Sequence, residues 1–336
     1  MIAGLMILIL AGILQGLFVL PLSFTRNWKW EHGWLMFSFW GMIVLNLILA
    51  FFLFPQVLSV YRLVPSHELV LLSLFGLCWG IGAVLFGLGM KKLGMSLGYP
   101  IIMGLIAGTG TLVPLILKEP ASIFSLRGLG VILGCGLVIL GILLCSRAAA
   151  ERNQSQEINE KRTSLGAGIL IAVFSGLLSA LPNIGMSFAT ETIHQAVRAG
   201  VSPGMSGNLV WLLFFTIGFA ANGAFTIYLM IRHHSIAEFK NSFSARNVLL
   251  TGVAAACWIG SFYLYGNAAG MLGSFGAIIA WPLFISIAIL TGNLAGIWNG
   301  EWTNASLRSK GMLRSGMLIF LLAVLLISLS NYIMTL

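Results

Sequence analysis

The sequence predicts an all-α integral membrane protein with ten transmembrane helices, arranged as two inverted repeats of five. Three observations support this: composition, an internal repeat and the placement of basic residues. Of the 336 residues, 59% are hydrophobic and only 8% are charged, which is unlike a soluble globular domain. Charge-free apolar runs recur at the length of about 20 residues that a bilayer crossing needs. Backbone polar groups must be satisfied within lipid, so these runs are predicted to be helices.

The apolar runs give ten predicted helices, α1 to α10, in chain order. Their predicted ranges are 2–22, 33–54, 68–90, 96–117, 126–145, 165–188, 204–231, 247–265, 274–297 and 312–332. No basic residue precedes α1, and Arg26 and Lys29 follow it. We therefore expect a retained first span rather than a cleaved signal peptide. The stretch Asn247–Gly300 has no Lys, Arg, Asp, Glu or His and is expected to turn near Gly266–Gly270.

An internal repeat divides the chain. Two segments each begin with Cys-Trp, carry a glycine nine residues later and have a proline in the next apolar run, and repeats of this kind indicate architecture. The matched positions are Cys78, Gly87 and Pro114 in the first copy and Cys257, Gly266 and Pro282 in the second. The most polar stretch, RAAAERNQSQEINEKR, separates the copies. We predict a first repeat at 1–146, a cytoplasmic linker at 147–163 and a second repeat at 164–336.

The basic residues orient the helices. With ten spans, the loops after α1, α3, α5, α7 and α9 share one side, and they hold fourteen of the 18 Lys and Arg residues. The positive-inside rule places that side in the cytoplasm and both termini outside, in the periplasm. It also accounts for the net charge of +9 without a nucleic-acid partner. Because five is odd, the second repeat is predicted to be inverted, as in many secondary transporters.

Enzyme and pump functions lack support in the sequence. The chain has no Asp, all nine acids are Glu, and HExxH, GxSxG, P-loop and CxxC patterns are absent. No metal site or cofactor is expected, and the four cysteines are interpreted as small packing residues. No charge ring or filter motif indicates a channel. A pore formed by several copies of the chain is left as an alternative. A receptor or assembly factor would need a sizeable soluble domain, and the longest polar stretch is under about 20 residues.

Neutral amides and aromatic residues at membrane depth form the candidate substrate site. Amides can bond hydroxyl groups, and flat rings can contact apolar sugar edges, so this lining suits a neutral sugar or polyol better than a lipophilic cation. The alternative is ordinary interhelical hydrogen bonding, at about 0.6–2 kcal/mol each, and plain aromatic packing. The predicted substrate-binding residues are Gln15, Trp79, Asn183, Asn208, Trp258 and Tyr263, with Trp79 and Trp258 as a central aromatic platform.

Proton coupling would need an ionisable group in a partly dry site. Glu191 and His194 are the candidates, since they lie on one face if α6 continues past Phe188, and such a pair can hold a proton at physiological pH. The alternative is a solvated helix end. Carboxylates on the cytoplasmic side, such as Glu31, are expected to be solvated.

Several segments, in order along the chain, resemble the bacterial L-rhamnose–proton symporters of the drug/metabolite transporter superfamily. They are Leu77-Cys78-Trp79-Gly80-Ile81-Gly82, Leu93-Gly94-Met95-Ser96-Leu97-Gly98, Gly185-Met186-Ser187-Phe188-Ala189, Gly200-Val201-Ser202-Pro203, Asn247-Val248-Leu249-Leu250 and Glu301-Trp302-Thr303-Asn304-Ala305. The resemblance implies a multi-pass carrier of the bacterial inner membrane that imports L-rhamnose, or a related deoxysugar, with protons. The chain departs from the pattern around Thr190–Ala199 and Gln15–Pro21, which bears on substrate identity.

We predict a secondary transporter that works by alternating access, with substrate bound between the repeats. The α3–α4 and α8–α9 hairpins would rock against the other helices, and the carbonyls freed by Pro114 and Pro282 would face the cavity. The open alternatives are a drug or metabolite exporter and a carrier of another small polar solute. The oligomeric state is left open.

Overall fold

The structure, a computed structural model, describes residues 2–154, 165–273, 275–300 and 302–332. For residues 90–91, 93–97, 99–100, 153–154, 165 and 330–332 it describes the backbone but not the side chains. This part of the chain is helical, with turns and without strands. Ten helices within it are long and apolar enough to cross a membrane, which confirms the predicted spans. They are α1 Ile2–Ser23, α2 Trp30–Leu53, α3 Ser66–Gly89, α4 Ile101–Lys118, α5 Leu126–Arg152, α6 Gly166–Phe188, α7 Pro203–Arg232, α8 Ser244–Met271, α9 Gly276–Trp298 and α10 Leu307–Leu329.

The connection between α3 and α4 differs from the expected loop. The backbone is helical without a break from Ser66 to Lys118. A straight helix would place Gly89 and Ile102 about 20 Å apart, whereas a Cβ on Gly89 would lie 3.3 Å from Ile102 Cδ1. The helix therefore folds back on itself between these two residues, and α3 and α4 form a hairpin without a non-helical loop.

The predicted turn near Gly266–Gly270 is wrong. The helix of α8 continues through these glycines to Met271, and the chain turns at Gly273, whose φ is +80°. The glycines instead allow close packing, because a Cβ on Gly266 would lie 2.0 Å from Asn208 Oδ1 and one on Gly270 would lie 2.5 Å from the Gly204 carbonyl oxygen.

Two other helix ends also differ from the prediction. The helix of α5 runs on to Gln154, so the predicted linker at 147–163 begins as helix, and its residues 155–163 lie outside the described residues. At the end of α6 the helix breaks at Ala189, and a separate short helix covers Thr190–Arg198. The prediction that put Glu191 and His194 on one face assumed that α6 continues past Phe188. In the structure α6 ends there.

The chain forms two compact units. The first unit comprises Met1–Ile81 and Phe188–Gly273, and the second comprises Gly82–Ser187 and Ser274–Leu336. Each unit takes segments from both predicted repeats, so sequence repeats and compact units divide the chain differently. The inverted relation of the repeats stays a prediction.

Glycines set the packing of the first unit. A Cβ on Gly76 would lie 2.2 Å from the Phe214 carbonyl oxygen, and one on Gly80 would lie 2.3 Å from that of Gly218. The backbones of α3 and α7 are thus in direct contact, the arrangement that small residues four apart permit in membrane helices. Without these glycines the two helices would have to move apart.

The helix of α2 is widened in its middle. Residues Phe39–Leu45 form a π-helix between α-helical segments, a feature frequent at functional sites. Gly41 in this segment faces α8, since a Cβ there would lie 3.0 Å from Trp258 Cε3. The widened turn and the glycine together bring the backbone of α2 against the indole ring.

In the second unit, α5 packs along α10. A Cβ on Gly141 would lie 3.1 Å from the Phe320 ring, and one on Gly316 would lie 2.6 Å from Cys145 Sγ. Cys135 and Cys145 are buried, so both occupy packing positions. The face of α4 meets α6, where a Cβ on Gly176 would lie 2.6 Å from Leu105 Cβ.

Candidate functional site

The first unit contains an aromatic cluster at whose centre the two predicted tryptophans meet. The rings of Trp79 and Trp258 stack with centroids 5.9 Å apart and planes 18° apart. Phe215 lies 5.2 Å from Trp79 and 4.9 Å from Trp258, centroid to centroid. The cluster also includes Phe37, Phe214 and Phe262. The two tryptophans of the predicted platform are therefore in contact, and their contact with a substrate stays a prediction.

The cluster is closely packed. Trp79 is 8% exposed and Trp258 is 5% exposed. A Cβ on Gly218 would lie 3.0 Å from Trp79 Cε3, so a glycine backbone covers that ring as Gly41 covers the other. In this conformation little of either residue is open to a ligand.

Gln15 lies beside the cluster with part of its amide unused. Ser261 Oγ is 2.7 Å from Gln15 Oε1 and 2.6 Å from the Trp258 carbonyl oxygen. A serine hydroxyl has one proton to donate, and the two ends of an amide are assigned from the network. Either Ser261 donates to Gln15 Oε1, or it donates to Trp258 and accepts from a flipped amide. In both cases one end of the Gln15 amide has no hydrogen-bond partner among the described residues.

Three other polar groups in the first unit are buried without a partner in the described part of the chain: Ser38 Oγ, Trp40 Nε1 and Thr216 Oγ1. Ser38 directly precedes the π-helix, and Trp40 lies within it. Serine and threonine in helices usually bond back to a carbonyl one turn earlier, as Thr251 does to Asn247 at 2.9 Å. Sequence inspection missed these groups because nothing in the sequence marks a hydroxyl that fails to bond back.

Asn208 and Tyr263 belong to a closed hydrogen-bond network with Asn46 and Trp211. Trp211 Nε1 donates to Asn208 Oδ1 at 2.9 Å, and Asn208 Nδ2 donates to the Tyr263 carbonyl oxygen at 2.9 Å. The Tyr263 hydroxyl donates to Asn46 Oδ1 at 3.0 Å, and Asn46 Nδ2 donates to the Trp211 carbonyl oxygen at 3.0 Å. These groups join α2, α7 and α8. Each of these side chains has at least one hydrogen-bond partner within the protein in this conformation.

Asn183 lies in the second unit. Proline has no backbone N–H, so Pro114 leaves the Gly110 carbonyl four residues earlier without its helical donor. Asn183 Nδ2 lies 2.6 Å from that oxygen and 3.1 Å from the Ala277 carbonyl oxygen, and it donates to both. The freed carbonyl of Gly110 thus bonds to Asn183, and the expectation that it faces a cavity is wrong for Pro114.

Glu191 and His194 lie on the surface of the short helix Thr190–Arg198. His194 Nδ1 is 3.6 Å from Glu191 Oε1, with side chains 52% and 36% exposed. The hydrogen bond from Gln195 lowers the pKa of Glu191, and the nearby His194 lowers it further. A lowered pKa favours the ionised carboxylate at physiological pH. Their role in proton coupling stays a prediction.

Glu68 is a buried carboxylate at the start of α3, 7% exposed. It accepts hydrogen bonds from the backbone N–H groups of Glu191 at 3.0 Å and Thr192 at 2.7 Å, and from the Thr192 hydroxyl at 2.6 Å. A carboxylate at a helix N-terminus satisfies unpaired N–H groups and the helix dipole. Glu68 therefore fixes the short helix that carries Glu191 and His194.

A second buried carboxylate, Glu31, opens α2 and is 4% exposed. The expectation that it is solvated is wrong. Glu31 Oε1 accepts a hydrogen bond from Ser235 Oγ at 3.1 Å and lies 3.0 Å from His233 Nδ1. Both partners follow α7, about 200 residues away in sequence, and no local pattern in the chain indicates a contact over that separation.

Residues 1–332 match the family described as L-rhamnose-proton symport protein (RhaT). The chain belongs to the L-rhamnose-proton symport family. The chain is similar to an L-rhamnose-proton symporter of Mannheimia succiniciproducens, with 27% identity over 320 residues and 93% of each chain covered. It is also similar to symporters of that name from Klebsiella pneumoniae, at 27% identity over 324 residues, and Salmonella paratyphi B, at 28% over 324 residues. In both of these, 93% of each chain is covered.

Membership of the L-rhamnose-proton symport family confirms the resemblance seen in the sequence segments. The symport family consists of transporters, which confirms the prediction of a multi-pass membrane transporter rather than an enzyme. The names of the relatives describe those proteins and do not place any side chain at a sugar. The candidate site of this chain therefore rests on its own geometry.

Proposed function

We propose that the protein is a secondary active transporter that imports L-rhamnose, or a related deoxysugar, together with protons across the bacterial inner membrane. The observation that carries this proposal is the family match over residues 1–332. The relatives cover 93% of the chain, so the similarity extends across both units. The inverted repeats and transport by alternating access belong to the same proposal.

In the proposed site, the sugar binds at the aromatic cluster of the first unit. The apolar edge and methyl group of a deoxysugar match the rings of Trp79 and Trp258, while its hydroxyl groups match unused polar groups. Those groups are the free end of the Gln15 amide, the Ser38 hydroxyl and the Trp40 indole N–H. Buried polar groups without partners cost about 1–3 kcal/mol each, so a ligand that bonds them gains affinity.

The small exposure of the two indoles links the site to transport. A sugar cannot reach ring faces that are 8% and 5% exposed until the cluster opens. Alternating access supplies such an opening on one side at a time. Asn208 and Tyr263 then support α7 and α8 through their network with Asn46, and Asn183 supports α4.

Uptake of labelled L-rhamnose into cells that lack their own carrier tests the function. Cells expressing the protein should accumulate the sugar, and a protonophore should abolish accumulation while the protein stays in the membrane. Accumulation that ignores the protonophore would contradict proton symport. No uptake of L-rhamnose, with uptake of another neutral solute or with export, would favour the alternative carriers instead.

A further inference from the structure

We propose that Glu31 and His233 form the proton-binding site of this transporter; this inference rests on the proposed function and assigns its coupling residue. Glu31 is 4% exposed and lies in the first turn of α2. A glutamate is seldom buried unless its charge is paired. Ser235 and His233 are the side chains bonded to its carboxyl group in the described part of the chain.

The pair provides a path for one proton. The side chain of His233 is 47% exposed, whereas that of Glu31 is 5% exposed, so the imidazole can exchange protons with water and the carboxylate cannot do so directly. Protonated His233 donates its Nδ1 proton in a hydrogen bond to Glu31 Oε1, 3.0 Å away, so the pair holds one proton between imidazole and carboxylate. Loss of this proton from the exposed imidazole returns it to water.

The surrounding groups leave Glu31 as the buried carboxylate that faces His233. His32 is fully buried; its Nδ1 accepts from the Lys29 N–H at 3.0 Å, and its Nε2 donates to the Ser235 carbonyl oxygen at 2.9 Å. Both ring nitrogens are therefore used by the neutral imidazole. Lys29 pairs with Glu238 at 2.9 Å, and both side chains are nearly half exposed.

The other charged side chains of the elements packed around Glu31 have partners of their own or make no bond to it. Arg26 lies over the Phe243 ring, with Cζ 5.7 Å from its centroid, and Arg232 donates to the Tyr228 hydroxyl at 3.0 Å. No hydrogen bond or ion pair joins any of the remaining ones to Glu31 within the described residues. They are His234 and Lys240, which follow α7, and Arg246 in α8.

The pair is also connected to the proposed sugar site through one helix. Glu31, Trp34 and Ser38 lie at i, i+3 and i+7 of α2, and therefore on one face. Trp34 Nε1 donates to Asn222 Oδ1 of α7 at 3.1 Å. Seven residues of helix span about 10 Å, so a change of charge at Glu31 acts on the helix that presents the unpaired Ser38 hydroxyl.

Purified protein in liposomes tests the proposal with three readouts: sugar counterflow, rhamnose-induced proton uptake and the pH profile of uptake. Glu31→Gln should lose proton uptake and proton-driven accumulation while it still exchanges sugar by counterflow. The matched control is Glu68→Gln, the other buried carboxylate of the first unit, which should keep both. Proton uptake by Glu31→Gln equal to that of the unaltered protein would overturn the proposal.

A second variant covers the case in which Glu31→Gln does not fold. His233→Asn alters a half-exposed side chain and should shift the pH of half-maximal uptake by about one unit or more, since a neighbouring charge moves a titration by that amount. An unchanged pH profile would overturn the proposal. If the unaltered protein moves rhamnose without protons, the proposed symport function fails first, and the two failures are thereby distinguished.

Discussion

The bond between Asn183 and the Gly110 carbonyl predicts a specific coupling between Asn183 and Pro114. Asn183→Leu keeps the size of the side chain but removes the donor that lies 2.6 Å from Gly110 oxygen. A buried carbonyl left without a partner costs about 1–3 kcal/mol. Pro114→Ala restores a backbone N–H four residues after Gly110, so it supplies the missing donor. We expect Asn183→Leu to cost about 2 kcal/mol in the natural background and about 1 kcal/mol less beside Pro114→Ala.

Unfolding in mixed micelles by increasing detergent denaturant, followed by circular dichroism, measures the four proteins of this cycle. Equal destabilisation by Asn183→Leu in both backgrounds would refute the reasoning, because the two residues would then act independently. Sugar uptake provides the second readout. If Asn183→Leu is stable but inactive, and Pro114→Ala does not restore uptake, Asn183 contacts the sugar, as the sequence predicted.

Three further predictions concern the candidate site and its packing. Trp79→Ala should abolish rhamnose uptake by protein that still reaches the membrane, and Trp79→Phe should retain some; normal uptake by Trp79→Ala would remove this residue from the site. Gly80→Ala should cost about 1–3 kcal/mol in detergent unfolding, because its Cβ would lie 2.3 Å from the Gly218 oxygen and overpack α3 against α7. The control Gly136→Ala, with no atom within 4 Å of the new Cβ, should not destabilise. Glu191→Gln should leave rhamnose-induced proton uptake intact. Loss of proton uptake in this variant would assign the coupling role to Glu191.

The membrane spans could be predicted because apolar runs of sufficient length have few alternatives. Helix ends were harder to predict near glycines, because a glycine can form a turn or allow close packing inside a helix. Gly266 was interpreted as part of a turn, whereas it lies inside α8 and makes room for Asn208. By contrast, the spacing of Gly76 and Gly80 is informative, since glycines four apart lie on one helix face and favour close packing, as both do against α7.

The candidate site was only partly predictable. The repeat placed Trp79 and Trp258 at corresponding positions, and they stack. The engagement of Asn208 with Trp211 and Tyr263 depends on tertiary geometry that residue type alone does not encode. The burial of Glu31 likewise depends on the chain after α7 folding over the start of α2. The expectation that Glu31 is solvated came from its position in a predicted loop. Loop position does not reveal that a distant segment of the chain buries the carboxylate.

The π-helix in α2 has a consequence for how sequences of this family should be aligned. A π-helical turn accommodates one additional residue while the helix on either side keeps its facing. A relative with one residue fewer between Phe39 and Leu45 can therefore still direct the counterpart of Glu31 toward the segment after α7 and that of Asn46 toward α7. A single gap belongs inside this segment rather than at the ends of α2. Placed elsewhere, it would rotate half of the helix by about 100° and assign these two side chains to the wrong positions.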